Sequence, residues 1–166
     1  MLDEELHRIR CLTDQIREFL RSGSGTPERI PVKQTIAAVA ERLGIDAEIA
    51  GAEDCTVEFD RERFQSVVGN VLRNAGEAHA SDEPIRVEVT PRRDRVVVTV
   101  ADRGPGIPAG ERARVFDPFY TTKTHGSGVG LAITQRFVED AGGEISIDDR
   151  DGGGTVVTLI LREKAS

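Results

Sequence analysis

What most constrains this chain is a set of segments patterned for a β-sheet. In IRVEV, Ile85, Val87 and Val89 alternate with charged residues, the period-two signature of a strand with one face in a core. After the turn residues PRRD comes VVVTV, Val96 to Val100, an apolar run suited to a buried strand. Later, EISID and TVVTLIL pair across the turn RDGGG. AEIA and CTVEF read as two shorter strands.

Helical segments lie among these strands. PVKQTIAAVAERLG has Pro31 at its first turn and Gly44 beyond its end, as helices prefer. Asp60 is placed to cap a long helix reaching about His79, with Phe64, Val67, Val68, Val71, Ala75 and Ala78 as its apolar stripe. Val129 to Ala141 suits another helix, with Gly142 and Gly143 past its end. The pattern predicts an α+β fold, a two-layer α/β sandwich whose mixed sheet is covered by helices on one face.

An N-terminal helix precedes this unit. Leu2, Leu6, Ile9, Thr13, Ile16 and Leu20 fall at alternating steps of four and three, a heptad seam. A helix of that length is marginal alone in water, so the seam needs a partner helix or its own domain to pack on. SGSGTPE then supplies a flexible break. The expected organisation is a helix over 1–22, a linker over 23–29 and one domain over 30–166.

Charge and composition exclude several function classes. A net charge of -7 argues against a nucleic-acid partner. No apolar run is long enough to span a bilayer and the start lacks a signal-peptide pattern, so a cytoplasmic location is expected for this domain. The intact protein's membrane attachment is not encoded in these residues. Cys11 and Cys55 show no metal-ligand spacing with the three histidines and read as reduced thiols.

The chemistry concentrates in three places. On the long helix, Asn70 and Asn74 lie one turn apart at the edge of the apolar stripe, with Gly69 and Gly76 nearby. Asparagine and glycine both disfavour helix interiors, so the pairing points to function, and amide oxygens suit the hard cation Mg2+. In VVVTVADRGPGI a buried strand delivers Asp102 to its end beside Gly104 and Gly106. That is either an ordinary Asp-Gly turn or a carboxylate able to accept a hydrogen bond from an adenine amine. In FDPFYTTKTHGSGVGLA, Gly126, Gly128 and Gly130 alternate before a helix. A P-loop requires Lys-Ser/Thr after its last glycine, and a dinucleotide fingerprint requires GxGxxG after a strand; neither is present.

Taken in order, NVLRNAGEA, DRGPGI, FDPFYTTK, GSGVGLA and the closing GGGT make the sequence resemble the catalytic and ATP-binding domain of bacterial sensor histidine kinases, over roughly Ile30 to Glu163. That branch belongs to the ATPase superfamily shared with gyrase, the Hsp90 chaperones and mismatch-repair ATPases, and implies a Bergerat-type fold. The resemblance makes Asn74 the Mg2+ ligand and Asn70 its neighbour at the reacting end. It gives Asp102 the adenine amine, supported through water by Thr155, and lets Gly104 and Gly106 line the base pocket with Ile107. Gly126, Ser127, Gly128, Val129, Gly130 and Leu131 become the phosphate-facing lid, where backbone N–H groups at a helix start bind anions. Phe116 and Phe119 would anchor that lid, and Lys123 would reach the phosphates or face solvent.

The resemblance extends to the heptad segment, which is similar to the second helix of the family's dimerisation hairpin. It departs from a complete kinase in one respect. No histidine stands in the acceptor setting, and His7, His79 and His125 all read as surface residues. The implied function is a two-component histidine kinase catalytic domain that uses ATP and Mg2+ and donates the γ-phosphate to a histidine located outside this chain. The implied partners are a phosphoacceptor-histidine helix, a response regulator receiver domain and a second copy through the N-terminal helix. The alternatives are a nucleotide-sensing regulatory module and an ATP-hydrolysing relative. The latter carries Glu where this chain has Asn70, and an amide is a poor base for water.

Overall fold

The computed structural model describes residues 25–123 and 126–163, together with Leu6, Ile9, Arg10, Thr13, Ile16 and Arg17. Expectations that fall on other positions, including Leu2, Leu20, Cys11, His7 and His125, lie outside the described residues. The order is β1 (Glu28–Pro31), α1 (Val32–Leu43), β2 (Ala47–Gly51), β3 (Thr56–Phe59), α2 (Arg61–Ala78), β4 (Ile85–Arg92), β5 (Arg95–Ala101), a 3-10 turn (Arg114–Phe116), α3 (Gly130–Asp140), β6 (Glu144–Asp149) and β7 (Thr155–Arg162).

A five-stranded sheet runs β2-β4-β5-β7-β6, and a separate two-stranded sheet joins β1 to β3. Only the β2–β4 pair of the larger sheet is parallel; Val87 sits opposite Val100 and Val98 opposite Leu159 in the antiparallel part. The register aligns buried residues of neighbouring strands on one face: Ile85, Val87 and Val89 of β4, Val96, Val98 and Val100 of β5, Val157, Leu159 and Leu161 of β7. Arg86 and Glu88 project to the opposite, exposed face of β4. Phe64, Val67, Val71 and Leu72 of α2, Ile36 and Val39 of α1, and Ile133 and Phe137 of α3 complete the same core. The predicted sandwich, with a mixed sheet covered by helices on one face, is therefore the fold observed.

Local chemistry explains the boundaries. Asp60 caps α2 by accepting from the Arg63 N–H at 2.8 Å, and Gly44 ends α1 in the left-handed region at φ 65°. Pro31 differs from expectation. It stands in extended conformation as the last residue of β1, just before the helix rather than within its first turn. The strand β1 is not evident in the sequence, because ERIP is short and its pairing with β3 (Ile30 opposite Val57) lies far off along the chain.

The described residues of the N-terminal segment are helical. Leu6, Ile9 and Ile16 of the seam are 49%, 57% and 37% exposed, so at these positions it is not folded onto the domain. Among the described residues no helix is long and apolar enough to cross a membrane.

Candidate functional site

The helix α2 brings Asn70 to the start of α3 and Asn74 to Lys123. Asn70 is buried, and its Nδ2 donates to the Gly130 carbonyl oxygen at 3.2 Å and to Thr134 Oγ1 at 3.4 Å. Its Oδ1 meets no donor among the described residues. One turn on, half-buried Asn74 accepts from Lys123 Nζ through Oδ1 at 3.4 Å. Lys123 Nζ also pairs with Glu77 Oε2 at 2.5 Å. The lysine thus lies along α2, bonded to the asparagine for which a metal role is expected.

The glycine-rich segment closes back on the aromatic one. The Phe119 N–H donates to the Gly128 carbonyl at 2.8 Å, and both residues have left-handed backbone, φ 68° and 69°. A Cβ at Gly128 would stand 2.5 Å from the Phe119 carbonyl carbon, so only glycine permits this approach. Phe116 packs against the core as expected. Phe119 does not: the residue is 66% exposed, and its backbone rather than its ring makes the contact with Gly128. Val129 then precedes α3 without any side-chain cap. The N–H groups of Gly130, Leu131 and Ala132 are left without intrahelical partners, a ready anion site.

A second group forms at the end of β5. Asp102 is buried, and its Oδ1 accepts from the Gly104 N–H at 2.7 Å and the Thr155 N–H at 3.2 Å. No described donor reaches Oδ2. Thr155 also accepts from the Asp102 N–H at 3.0 Å, so it supports the carboxylate through its backbone. Gly154 has φ 110°, and a Cβ there would strike the Asp102 carbonyl oxygen; this close crossing requires the glycine of GGGT. Gly106 has φ 75° beside Gly154, and Ile107 is half-buried against the core.

The two groups meet through α2. Its last residue, Ala78, has a carbonyl oxygen 2.5 Å from where a Gly104 Cβ would stand, which brings the helix end directly onto the Asp102 turn.

Two residues that sequence reasoning missed also hold that turn. His79 is half-buried rather than free on the surface, and its Nδ1 accepts from the Arg103 N–H at 3.0 Å. Arg150 Nη1 donates to the Ala101 and Asp102 carbonyls at 3.4 and 3.2 Å. Burial, reinforced by the nearby Arg103 and Arg86, lowers the Arg150 pKa from its ordinary value. No local pattern marks either residue, since their partners lie 24 and 48 positions away.

Two cavities lie outside these groups. One, of about 730 Å³, sits where the linker residues Gly25 and Pro27 meet Asp60, Arg63 and Asp140. The other, of about 520 Å³, lies between Ile45, Gly76 and His79.

Residues 59–165 match the family described as "Histidine kinase-, DNA gyrase B-, and HSP90-like ATPase". The C4-dicarboxylate transport sensor protein DctB of Rhizobium meliloti is 33% identical over 92% of this chain and 26% of its own length. The sensor histidine kinase ZraS of Salmonella typhimurium is 37% identical over 97% of this chain and 37% of its own length. This chain therefore spans about a quarter and somewhat over a third of the lengths of these two relatives. Among solved structures, the catalytic domain of histidine kinase ThkA superposes with a TM-score of 0.75 at 30% identity, covering 84% of this chain and 97% of that one. The mycobacterial sensor histidine kinase MprB gives 0.72 at 29% identity, over 84% and 99%.

Proposed function

The chain belongs to the histidine kinase-, DNA gyrase B- and HSP90-like ATPases, and from that membership we propose that it is the ATP-binding catalytic part of a two-component sensor histidine kinase, donating the γ-phosphate of ATP to a histidine outside this chain. The observation that carries the reading is Asp102, a buried carboxylate with one oxygen satisfied by backbone and the other without a described donor. An unpaired buried carboxylate oxygen is costly unless a ligand donates to it. The exocyclic amine of adenine is such a donor, and Gly104, Gly106 and Ile107 border the place it would take.

The donor set around Asn70 and Asn74 fits Mg2+. Among the described residues no group of three His, Cys, Asp or Glu side chains is placed to hold a metal, so the ion would rest on amide oxygen and nucleotide phosphate. Asn74 Oδ1 is the proposed ligand, and when bound the ion neutralises phosphate charge. The uncapped start of α3, with Gly126, Ser127, Gly128, Val129, Gly130 and Leu131, would receive the phosphates, and Lys123 would exchange Glu77 for them. Thr155 would add its support to Asp102 through water. In the transfer, an imidazole nitrogen attacks the γ-phosphorus, the bond to the β,γ-bridging oxygen breaks, and ADP leaves. Asn70 cannot take a proton from water at neutral pH, so ATP is held rather than hydrolysed until the histidine arrives.

The same reading assigns 1–22 to the second helix of a dimerisation hairpin, 23–29 to a linker and 30–166 to the catalytic domain. The exposed Leu6, Ile9 and Ile16 support the pairing of that helix with an acceptor-bearing helix and with a second copy. A response regulator receiver domain would take the phosphoryl group onward, and the domain would work in the cytoplasm.

The test is labelling with γ-labelled ATP, with and without a peptide supplying an acceptor-histidine helix. The expected result is binding without self-labelling alone, and acid-labile, alkali-stable label on the added helix. Fast turnover by the isolated chain would favour an ATP-hydrolysing relative, and binding without transfer in either case a nucleotide sensor. In parallel, ATP should bind at least about tenfold more tightly than GTP, since guanine presents a carbonyl where Asp102 needs an amine. Equal affinities would remove Asp102 from this role.

A further inference from the structure

The turn that carries Asp102 is held at successive backbone polar groups, and one of the holders is an imidazole ring. The Asp102 N–H donates to the Thr155 carbonyl at 3.0 Å, and its own carbonyl accepts from Arg150 Nη1 at 3.2 Å. The Arg103 N–H donates to His79 Nδ1 at 3.0 Å, and the Arg103 carbonyl accepts from the Ala80 N–H at 3.3 Å. Because Nδ1 is an acceptor, the ring proton sits on Nε2, which donates to the Glu83 carbonyl at 2.6 Å. Both ring nitrogens are in use, and the neutral form is the one that satisfies them.

We propose that His79 is a positioning residue for the adenine end of the site: its neutral ring holds the Arg103 amide, and through it the Asp102 carboxylate, and protonation releases that hold. This rests on the nucleotide reading of Asp102. A protonated imidazole carries N–H on both nitrogens, so Nδ1 would face the Arg103 N–H donor to donor. The hydrogen bond is lost, and the peptide that fixes Asp102 turns away.

The charged surroundings are mixed. Glu77 and Arg73 lie on the same helix, and Asp82 and Glu83 follow in the next turn. Arg103 stands across, its Nε 3.9 Å from Glu83 Oε2 and its Nη1 bonded to the Asp151 and Gly153 carbonyls. Asp46, between α1 and β2, borders the same cavity as His79. The donor-acceptor geometry sets the direction of the response: affinity falls as pH falls.

The test compares wild type, His79→Asn and His79→Phe. Calorimetric titration with ADP, without metal, is run at pH 7.5 and 5.5. Asparagine can accept from the Arg103 N–H through Oδ1 and does not titrate; phenylalanine cannot accept. On acidification wild type should lose about fivefold more affinity than His79→Asn, the worth of one hydrogen bond. Titration of ADP itself cancels in that ratio. His79→Phe should bind weakly at both pH values, and His79→Asn keeps the comparison decisive if the Phe variant does not fold. Nitrogen NMR of the wild-type ring should show the Nε2–H tautomer at pH 7.5 and double protonation as affinity is lost. The same pH response in wild type and His79→Asn, or an Nδ1–H tautomer, overturns the proposal. If ADP binds to none of the three at either pH, the nucleotide reading itself falls and takes this one with it.

Discussion

Asn70 stands at the proposed site and also joins two helices. Its Nδ2 joins α2 to the first residue of α3, yet the Gly130 carbonyl it reaches also accepts from Thr134 Oγ1 at 2.9 Å. Removing the amide therefore leaves no orphaned acceptor there, and Asn70→Ala should cost only about 1 kcal/mol in urea unfolding. Asn70→Asp keeps the volume but sets a carboxylate oxygen against that carbonyl in a buried place, and should cost more, about 2–3 kcal/mol. The reverse ranking would mean the amide is oriented the other way. Lys123 is the opposite case. Its side chain and that of Glu77 are 40% and 51% exposed, so the ion pair is screened and Lys123→Ala should change stability by less than about 1 kcal/mol. Any larger effect of Lys123→Ala should appear in ATP affinity. Asn70 and Asn74 are legible in the sequence because asparagines inside a helix are locally unfavourable. No local pattern shows that Asn70 bonds Gly130, 60 positions away, or that Lys123 lies on Glu77. Phe119 misleads because aromatic residues ordinarily pack, and its left-handed backbone is imposed by Gly128 rather than by its own identity.

At the scale of elements, α2 carries both asparagines of the proposed site and also a puzzle. Gly69 and Gly76 weaken its interior, and by helix propensity alone they point to function. The packing demands neither. A Cβ at Gly69 would lie 3.6 Å from Arg73 Nη2 and 3.9 Å from Val39 Cγ1, and one at Gly76 would lie 3.5 Å from Ile45 Cδ1, ordinary contacts in each case. Gly69→Ala and Gly76→Ala should thus each stabilise the protein by about 0.5–1 kcal/mol, read as a raised urea midpoint at constant slope. A loss of stability would reveal crowding that these distances do not show. The strands of the large sheet are readable because alternation and apolar runs report burial directly. The small sheet is readable only in part: β3 has an apolar pattern, whereas β1 exists because β3 offers it an edge.

The molecule as a whole closes around a core in which Cys55 is 3% exposed. Burial first, then the charges of Glu163 and Asp54, raise its thiol pKa. A raised thiol pKa keeps the unreactive protonated form dominant at pH 7–8 and delays thiolate formation to more alkaline pH than for a free cysteine. In a Cys11→Ser background, alkylation of Cys55 at pH 8 should be at least about 100-fold slower in the folded protein than in urea, because reaction must await an opening of the fold. Fast native labelling would show that the small sheet opens on its own, independently of the large one.

That small sheet carries one further consequence. Val57 pairs with Ile30 of β1 on one side and with Glu163, just past β7, on the other. Neighbouring strands are about 4.8 Å apart, so the path into the domain and the path out of it pass within about 10 Å of each other. A domain with adjoining entry and exit can be inserted into another chain as a self-contained cassette, or cut and rejoined in permuted order. Linking Glu163 to Glu28 by a few residues and opening the chain at exposed Gly110 would preserve every strand pairing in both sheets.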